Sequence, residues 1–244
     1  MNKTCLITGA NKGIGFKIAE KLGERGHRVI LSGRNISALE KSVLQLTQLG
    51  ITAELLHLDV TDQESIKSAA NLMLSNNITI DVLINNAGIF LDSIQKPSET
   101  SLDSIHKTLE VNLIGPWLVT QAFLPLLQRS KEARLIFIST DLAALSQAAD
   151  PHSKYNKVEG SAYRTSKAAL NMLALQWAKE LRDSNISVSV CSPGWCRTTL
   201  DSQIDSRQAP NSAADGADTA VWLALDKDRT QHGHFYASRQ PINW

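Results

Sequence analysis

The sequence has little cysteine, few aromatic residues, almost no net charge and no long hydrophobic run. Its cysteines, Cys5, Cys191 and Cys196, are odd in number and lack metal-ligand spacing, so neither a structural disulfide nor a metal site is expected. The 25 basic and 24 acidic residues leave a formal charge of +1, which disfavours nucleic acid and anionic membrane surfaces as partners. No stretch approaches the roughly 18 apolar residues of a membrane-spanning helix, and an apolar run by residue 5 leaves no room for a signal peptide. We therefore expect a cytoplasmic protein with reduced thiols.

What the sequence does contain is a regular alternation of short apolar runs and longer helical patterns. Strands that alternate with helices predict a parallel sheet with right-handed crossovers. No internal repeat or flexible linker divides the 244 residues. We expect an α/β fold in a single domain over residues 1–244, a doubly wound parallel sheet of the Rossmann type. The predicted strands are TCLIT, RVILS, TAELLHLD, IDVLINNAG, ARLIFIST and ISVSVCSPG, and the predicted helices cover 14–25, 36–49, 62–75, about 101–129 and about 161–183.

Two stretches without clear periodicity, 141–160 and 199–216, directly follow predicted strands. Long irregular segments in a compact domain are often functional, and sheets of this kind bind ligands beyond the carboxyl ends of their strands. We expect both stretches to lie near a binding site. Trp195 and the C-terminal string HFYASRQPINW could supply pocket walls or cover, or could simply pack.

Tyr163 is followed four residues later by Lys167, within a helical pattern. This spacing places the phenol and the ammonium group on one helix face, one turn apart. A free phenol has a pKa of about 10, and a nearby cation lowers that pKa toward the range of a working acid or base. The pair therefore indicates a catalytic acid, although a tyrosine and a lysine at this spacing also occur on many amphipathic helices without such a role.

The first predicted strand leads into a glycine-rich turn and then into a helical pattern, the order of a dinucleotide-binding unit. Glycine lets the backbone approach a pyrophosphate, which the N-terminus of the following helix then holds. The alternative is a tight strand-to-helix turn without a ligand. The residues that would contact the cofactor here are Gly9, Asn11, Lys12, Gly13, Ile14 and Gly15.

The second predicted strand ends near Gly33 and Arg34, where a fold specific for NAD usually presents a carboxylate to the ribose hydroxyls. Arg34 can instead bind a 2′-phosphate through paired charge-assisted hydrogen bonds, and Lys12 could supply a second cation. NADPH is therefore the expected cofactor, unless both are exposed basic side chains without a partner. After the third strand, Asp59 could accept a hydrogen bond from adenine, with Val60 beside it, or serve as an ordinary capping aspartate.

Taken together, these motifs resemble those of the short-chain dehydrogenase/reductase family over essentially the whole chain. The glycine turn TGANKGIG, the string NNAG, the asparagine of VNLIG, the string YRTSK and the PGW after the sixth strand stand in the family's order. The turn is similar to that of carbonyl reductases, and AYRTSKAALN with SPGWCRT is similar to the group of the sniffer and C-signal proteins. The resemblance implies reversible hydride transfer between NAD(P)H and a carbonyl or alcohol of a small or medium-sized substrate.

The resemblance also implies roles for individual residues. Tyr163 would protonate the carbonyl oxygen as hydride arrives, and Lys167 would hold the nicotinamide ribose and lower the tyrosine pKa. Asn112 would place a water that links Lys167 to solvent, with a helix bend near Gly115 and Pro116, unless it is an ordinary helix-interior residue. The remaining cofactor contacts would be Asn86, Ala87 and Gly88 along the adenosine-side ribose, and Pro193, Gly194 and Thr198 around the nicotinamide.

The sequence departs from the family at the end of the fifth strand. The family has a serine there that positions the substrate carbonyl, whereas this strand ends in Ser139 and Thr140, and the register favours Thr140 with Ser139 as the alternative. About ten extra residues precede Tyr163, and they could shape substrate access or form a surface loop without a role. Among them, Tyr155 is a poor catalytic candidate because Glu159, four residues on, would raise the pKa of a phenol.

Two functions of different classes follow from these residues. One is an NADPH-dependent carbonyl reductase, and the other is a catalytically silent sensor or signalling protein that keeps the dinucleotide site. The complete set of Tyr163, Lys167 and Asn112 favours the enzyme, because a sensor needs only the cofactor residues. We expect a small-molecule substrate and no nucleic-acid or membrane partner. A homodimer through the helices of 101–129 and 161–183 is favoured over a monomer.

Overall fold

The computed structural model describes residues 2–201, 203, 205–225 and 231–244. One eight-stranded sheet forms its centre. Its strands are β1 (Thr4–Thr8), β2 (Arg28–Gly33), β3 (Ala53–His57), β4 (Val82–Asn85), β5 (Ala133–Ile138), β6 (Ile186–Ser192), β7 (His234–Ala237) and β8 (Gln240–Pro241). They lie in the order β3-β2-β1-β4-β5-β6-β7-β8, and only the last pair is antiparallel. The predicted doubly wound Rossmann-type fold is confirmed.

Helices connect the parallel strands and cover both faces of the sheet. They are α1 (Gly13–Gly23), α2 (Ile36–Gln48), α3 (Gln63–Ser75), α4 (Leu102–Leu109), α5 (Gly115–Gln128), α6 (Leu145–Ala149), α7 (Ser161–Glu180) and α8 (Ala213–Leu225). Within the described part of the chain, no helix combines the length and the apolar character that crossing a bilayer requires.

The strand sequences read as nearly continuous apolar runs because both faces of the sheet are buried. On β4, Leu83 belongs to the core under α3, α5 and α7, whereas its neighbours Val82 and Ile84 belong to the core under α1, α2 and α8. Successive side chains of a strand point to opposite faces, so each strand serves both cores. The three cysteines, Cys5, Cys191 and Cys196, are buried and free.

The long helix predicted over 101–129 is interrupted. A π-helical segment, Glu110–Ile114, separates α4 from α5. A bend was expected near Gly115 and Pro116, and the irregular turn lies directly before them. Gly115 packs closely at this point, since a Cβ atom there would lie 2.8 Å from the carbonyl oxygen of Val60.

Two features near the C-terminal end differ from expectation. Helix α8 begins inside the stretch 199–216 that was predicted to be irregular, because Ser212 and Asp215 form a reciprocal cap. The Ser212 amide donates to Asp215 Oδ2 at 2.8 Å, and the Asp215 amide donates to Ser212 Oγ at 3.1 Å. Residues 202 and 204 of that stretch lie outside the described residues. The string HFYASRQPINW supplies β7 and β8 and so extends the sheet, and none of its residues lines the cavity at the carboxyl ends of β1 and β4.

Candidate active site

A cavity of about 460 Å³ opens at the carboxyl ends of β1 and β4, where the strand order reverses direction. Doubly wound sheets bind their ligands at this position. Every predicted cofactor residue lines the cavity except Gly194, which is exposed on the turn after β6. Those residues are Gly9, Asn11, Lys12, Gly13, Ile14, Gly15, Arg34, Asp59, Val60, Asn86, Ala87, Gly88, Tyr163, Lys167, Pro193 and Thr198.

The first turn of α1 forms one wall of the cavity. Lys12 occupies the N-cap position and makes no side-chain cap hydrogen bond, and the first turn contains no acidic residue. No side-chain cap therefore competes for the backbone N–H groups at this helix end. Gly9 has φ +63°, and a Cβ atom there would lie 2.9 Å from the Cα atom of Ala87, so the turn requires glycine. A close-packed glycine turn and an uncapped helix N-terminus fit a pyrophosphate group.

Asn86 fastens this turn to the central strands. Its Nδ2 atom donates to the carbonyl oxygens of Thr8 at 2.8 Å and Gly9 at 3.2 Å. The backbone amides of Asn86 and Ala87 both donate to the Thr8 hydroxyl, at 2.9 and 3.0 Å. A Cβ atom at Gly15 would lie only 2.4 Å from Asn86 Nδ2. Asn86 therefore steadies the strand ends and packs directly against the start of α1.

Arg34 and Lys12 are both exposed and line the cavity at its β2 side. Asp59 also lines the cavity, and its Oδ1 atom accepts hydrogen bonds from the amide and hydroxyl of Thr61, at 3.0 and 2.8 Å. Asp59 thus closes a turn after β3, whereas the N-cap of α3 is Asp62, whose side chain accepts from the Glu64 amide. Two cations stand where a fold specific for NAD usually presents a carboxylate, and this donor set fits a 2′-phosphate.

Tyr163 is the third residue of α7, and its buried side chain reaches the cavity wall. The ring of Phe90 stacks on the Tyr163 ring, with centroids 4.0 Å apart and planes inclined by 13°. Thr140 Oγ1 accepts from the Leu142 amide at 3.3 Å and is directed at Asp141 Oδ1 at 3.5 Å, and its hydrogen bonding also acts to lower the pKa of Tyr163. The Ser139 hydroxyl donates to Asn171 Oδ1 at 2.6 Å, and Ser139 lines the cavity. The choice of Thr140 over Ser139 stays a prediction.

The electrostatics of Tyr163 differ from expectation. Burial raises the pKa of Tyr163 well above its usual range, and the Asp141 and Asp201 carboxylates raise it further. Lys167 is not among the groups that shift this pKa. Its Nζ atom donates to the Ile138 carbonyl oxygen at 2.8 Å, and burial lowers the pKa of Lys167 itself to about 8. The predicted lowering of the tyrosine pKa by Lys167 is therefore wrong for this structure, because desolvation of the phenolate dominates.

Asn112 lies at the centre of the π-helical segment Glu110–Ile114 and is fully buried. Its Oδ1 atom accepts from the Ile89 amide at 2.8 Å, and its Nδ2 atom donates to the Ile89 carbonyl oxygen at 2.9 Å. Asn112 Oδ1 and Lys167 Nζ both lie next to Gly88, at 3.3 and 3.5 Å from where a Cβ atom would stand. The structure thus brings Asn112 and Lys167 together beside Gly88, which lines the cavity with Lys167, and π-helical turns of this kind often occur at functional sites.

Asp92, which the sequence did not single out, caps the start of α7, the helix that carries Tyr163. Gly160, the residue before the helix, has φ +99° and no side chain with which to cap it. The fully buried Asp92 caps it from a distance: Oδ2 accepts from the Ala162 amide at 2.6 Å, and Oδ1 accepts from the Tyr163 amide at 3.3 Å. The partners are 70 and 71 residues apart, so no local pattern could reveal the contact. The sequence feature that could have indicated a distant cap is Gly160, a glycine directly before the helix.

We expect Asp92→Ala to lower the free energy of unfolding by about 2 kcal/mol or more, because it removes a helix cap and leaves buried amides without an acceptor. Urea unfolding of the two proteins measures the difference. Asp103→Ala is the matched control, since Asp103 is an exposed aspartate whose ion pair with Lys107 contributes at most about 1 kcal/mol. Equal losses in both variants would contradict the capping role of Asp92.

Comparison with known proteins assigns the family. The model of the short chain dehydrogenase family matches residues 3–209. The chain is 35% identical over 229 residues to the short-chain dehydrogenase anuI of Penicillium roqueforti, covering 91% of this chain and 88% of that protein. It is 26% identical to carbonyl reductase (NADPH) 1 of Sus scrofa, covering 99% and 94%. The crystal structure of an NADPH-bound carbonyl reductase from chicken fatty liver superimposes with a TM-score of 0.86 at 25% identity, covering 100% of this chain and 99% of that one. The chain therefore belongs to the short-chain dehydrogenase/reductase family, whose members are oxidoreductases that use a nicotinamide cofactor.

Proposed function

We propose that this oxidoreductase is an NADPH-dependent carbonyl reductase with Tyr163 as its general acid. The proposal rests on the residues that line one cavity. Tyr163 and Lys167 line it beyond the strand ends, and an uncapped glycine turn and Arg34 line it toward β2. A proton donor and a dinucleotide site in one cavity are what carbonyl reduction requires.

A bound nicotinamide cofactor would supply the hydride. Tyr163 gives its phenolic proton to the substrate oxygen, and its raised pKa keeps the phenol protonated at neutral pH until that transfer. The Thr140 hydroxyl, at the end of β5, donates a hydrogen bond to the same oxygen and holds it in place. Lys167, one turn further along α7, lines the same cavity, where its ammonium group would hold the ribose hydroxyls of the nicotinamide half of the cofactor.

The preference for NADPH rests on charge at the β2 side of the cavity. Arg34 and Lys12 line that side, and a guanidinium group binds a phosphate through two parallel hydrogen bonds. The similar chicken liver carbonyl reductase is described as NADPH-bound, and the similar Sus scrofa protein is named for NADPH. Consumption of NADPH over a panel of aldehydes, ketones and quinones tests the proposal. Binding of NADPH without turnover on any of them would contradict it.

The two hydroxyls at the end of β5 allow a matched comparison. We expect Thr140→Ala to lower kcat by about 100-fold, because it removes a hydrogen-bond donor at the reacting oxygen. Ser139→Ala removes a hydroxyl of the same strand end that is bonded to Asn171, and we expect a smaller loss of kcat. Steady-state kinetics of both variants with saturating NADPH measures the difference. A silent Thr140→Ala, or equal losses in the two variants, would reverse this assignment.

A further inference from the structure

The half-buried ring of Phe90 contacts two residues at the start of α7. It stacks on the Tyr163 ring, nearly parallel to it, with centroids 4.0 Å apart. It also fills the space beside Gly160, because a Cβ atom there would lie 2.5 Å from Phe90 Cε2 and 2.6 Å from Phe90 Cζ. Heavy atoms do not approach that closely, so the ring can occupy this place only because Gly160 has no side chain.

The backbone of Gly160 is fixed by the first turn of α7. Its carbonyl oxygen accepts from the Arg164 amide at 2.9 Å. Arg164 Nη1 donates to the carbonyl oxygen of Val158, two residues before Gly160, at 2.7 Å. A side chain added at Gly160 would therefore displace the Phe90 ring and not the backbone.

The segment that carries Phe90 also fixes the backbone of Tyr163. Asp92, two residues further on, accepts from the amides of Ala162 and Tyr163. This cap determines where the backbone of Tyr163 lies, but it leaves the side chain its rotations about χ1 and χ2. The phenolic oxygen stands at the far end of the ring, so a small rotation displaces it. The stacked Phe90 ring opposes that rotation, because turning the Tyr163 ring would break the contact between the two faces.

Tyr155, the tyrosine in the stretch 141–160, is directed elsewhere. Its hydroxyl donates to Asp141 Oδ2, and Tyr155 does not line the cavity. Burial and then this hydrogen bond raise the pKa of Tyr155, whereas Glu159, the expected cause, is not among the groups responsible. The orientation of Tyr163 is therefore the one on which proton delivery in this cavity depends.

We propose that Phe90 is a positioning residue whose ring, seated against Gly160, holds the Tyr163 phenol in the orientation that delivers its proton to the substrate oxygen. This inference rests on the proposed function of Tyr163. Phe90 does not line the cavity itself, so it acts through Tyr163 and not through a contact with cofactor or substrate. Misplacing a reacting group by about 1 Å costs up to about 100-fold in rate. Loss of the Phe90 ring should therefore lower turnover and leave NADPH binding unchanged.

Phe90→Leu tests this role, with kcat expressed per NADPH-binding site so that unfolded protein does not count. We expect kcat to fall about 10-fold while the dissociation constant for NADPH stays within about twofold of the wild type. Phe235→Leu is the matched control, since Phe235 is a buried phenylalanine that stacks on Trp244, with centroids 5.4 Å apart, without lining the cavity. It should lower the free energy of unfolding and keep kcat per site within about twofold of the wild type.

Gly160→Ala tests the same contact from its other side. The added methyl group should displace the Phe90 ring and lower kcat by a similar factor of about 10. Leucine ends at its Cδ atoms and lacks the Cε2 and Cζ atoms that lie beside Gly160. The double variant Phe90→Leu/Gly160→Ala should therefore have kcat within about twofold of Phe90→Leu alone. Backbone strain at φ +99° that acts independently of Phe90 predicts instead that the two losses multiply to about 100-fold.

Wild-type kcat in Phe90→Leu, an equal loss in Phe235→Leu, or multiplied losses in the double variant would each overturn the inference. If Phe90→Leu does not bind NADPH, Phe90→Met, which keeps a long apolar side chain without a ring, takes its place in every comparison. Tyr163→Phe, assayed in parallel, tests the proposed function separately, because activity retained in that variant would remove the function itself. An inactive Tyr163→Phe beside a fully active Phe90→Leu would reject only the positioning by Phe90.

Discussion

Tyr163→Phe should lower kcat for carbonyl reduction by about 10²–10⁴-fold, the range expected when a general acid is removed. The substitution deletes the phenolic proton and keeps the ring, so the stacking with Phe90 at 4.0 Å between centroids is retained. The dissociation constant for NADPH should change little, because the glycine turn and Arg34 lie away from the phenol along the same cavity. Steady-state kinetics together with a fluorescence titration of NADPH separates the two effects.

Tyr236→Phe is the matched control for this prediction. Tyr236 is a buried tyrosine on β7, in the core under α1, α2 and α8, and its ring meets Trp222 edge to face. Removing its hydroxyl should leave kcat within about twofold of the wild type, since surface and core hydroxyls away from a site change stability more than chemistry. A Tyr163→Phe variant that keeps more than a tenth of wild-type kcat would be incompatible with the proposed acid.

Arg34→Asp should lower the ratio of kcat/KM for NADPH to that for NADH by about 100-fold. Two charge-assisted hydrogen bonds to the 2′-phosphate are lost, at about 1.5 kcal/mol or more each, and the new carboxylate repels the phosphate. The same carboxylate can accept hydrogen bonds from the ribose hydroxyls of NADH, so activity with NADH should fall less or rise. Parallel kinetics with both cofactors and one carbonyl substrate measures the ratio.

Arg25→Asp provides the charge-matched control for Arg34→Asp. Arg25 is an exposed arginine just beyond the C-terminal end of α1, and its Nη1 donates to the Lys21 carbonyl oxygen. It changes the net charge by the same amount without lining the cavity. If Arg34→Asp leaves the ratio of kcat/KM for NADPH to that for NADH unchanged, or if Arg25→Asp changes it equally, Arg34 does not bind the 2′-phosphate.

The parts of the site that the sequence predicts are those encoded by local spacing. Tyr163 and Lys167 share a helix face because they are four residues apart, and the glycine turn stands between a strand and a helix. Counting residues along β5 favours Thr140 over Ser139, because strand register alternates with a period of two, and this choice stays a prediction. The sheet itself followed from the alternation of apolar runs and helical patterns, and its six predicted strands are all present.

What the sequence could not predict depends on contacts between distant residues. The Asp92 cap, the Phe90 stacking and the Tyr155–Asp141 hydrogen bond join positions 14 to 73 residues apart that carry no common pattern. The sequence also could not predict whether the pKa of Tyr163 rises or falls, because that shift depends on how completely the fold buries the phenol. Only the reciprocal cap of Ser212 and Asp215 had a local signature that the sequence reading missed.

Hydrogen bonds of the short segment 86–92 determine which parts of this protein loosen together. Asn86 is bonded to the glycine turn, Ile89 is bonded to Asn112 in the π-helical turn, and Asp92 caps the helix of Tyr163. Local unfolding proceeds in contiguous cooperative units, and this segment is bonded to the glycine turn, to the π-helical turn and to the first turn of α7. A fluctuation that frees this segment would therefore loosen the cofactor side of the cavity and the helix of Tyr163 in the same event.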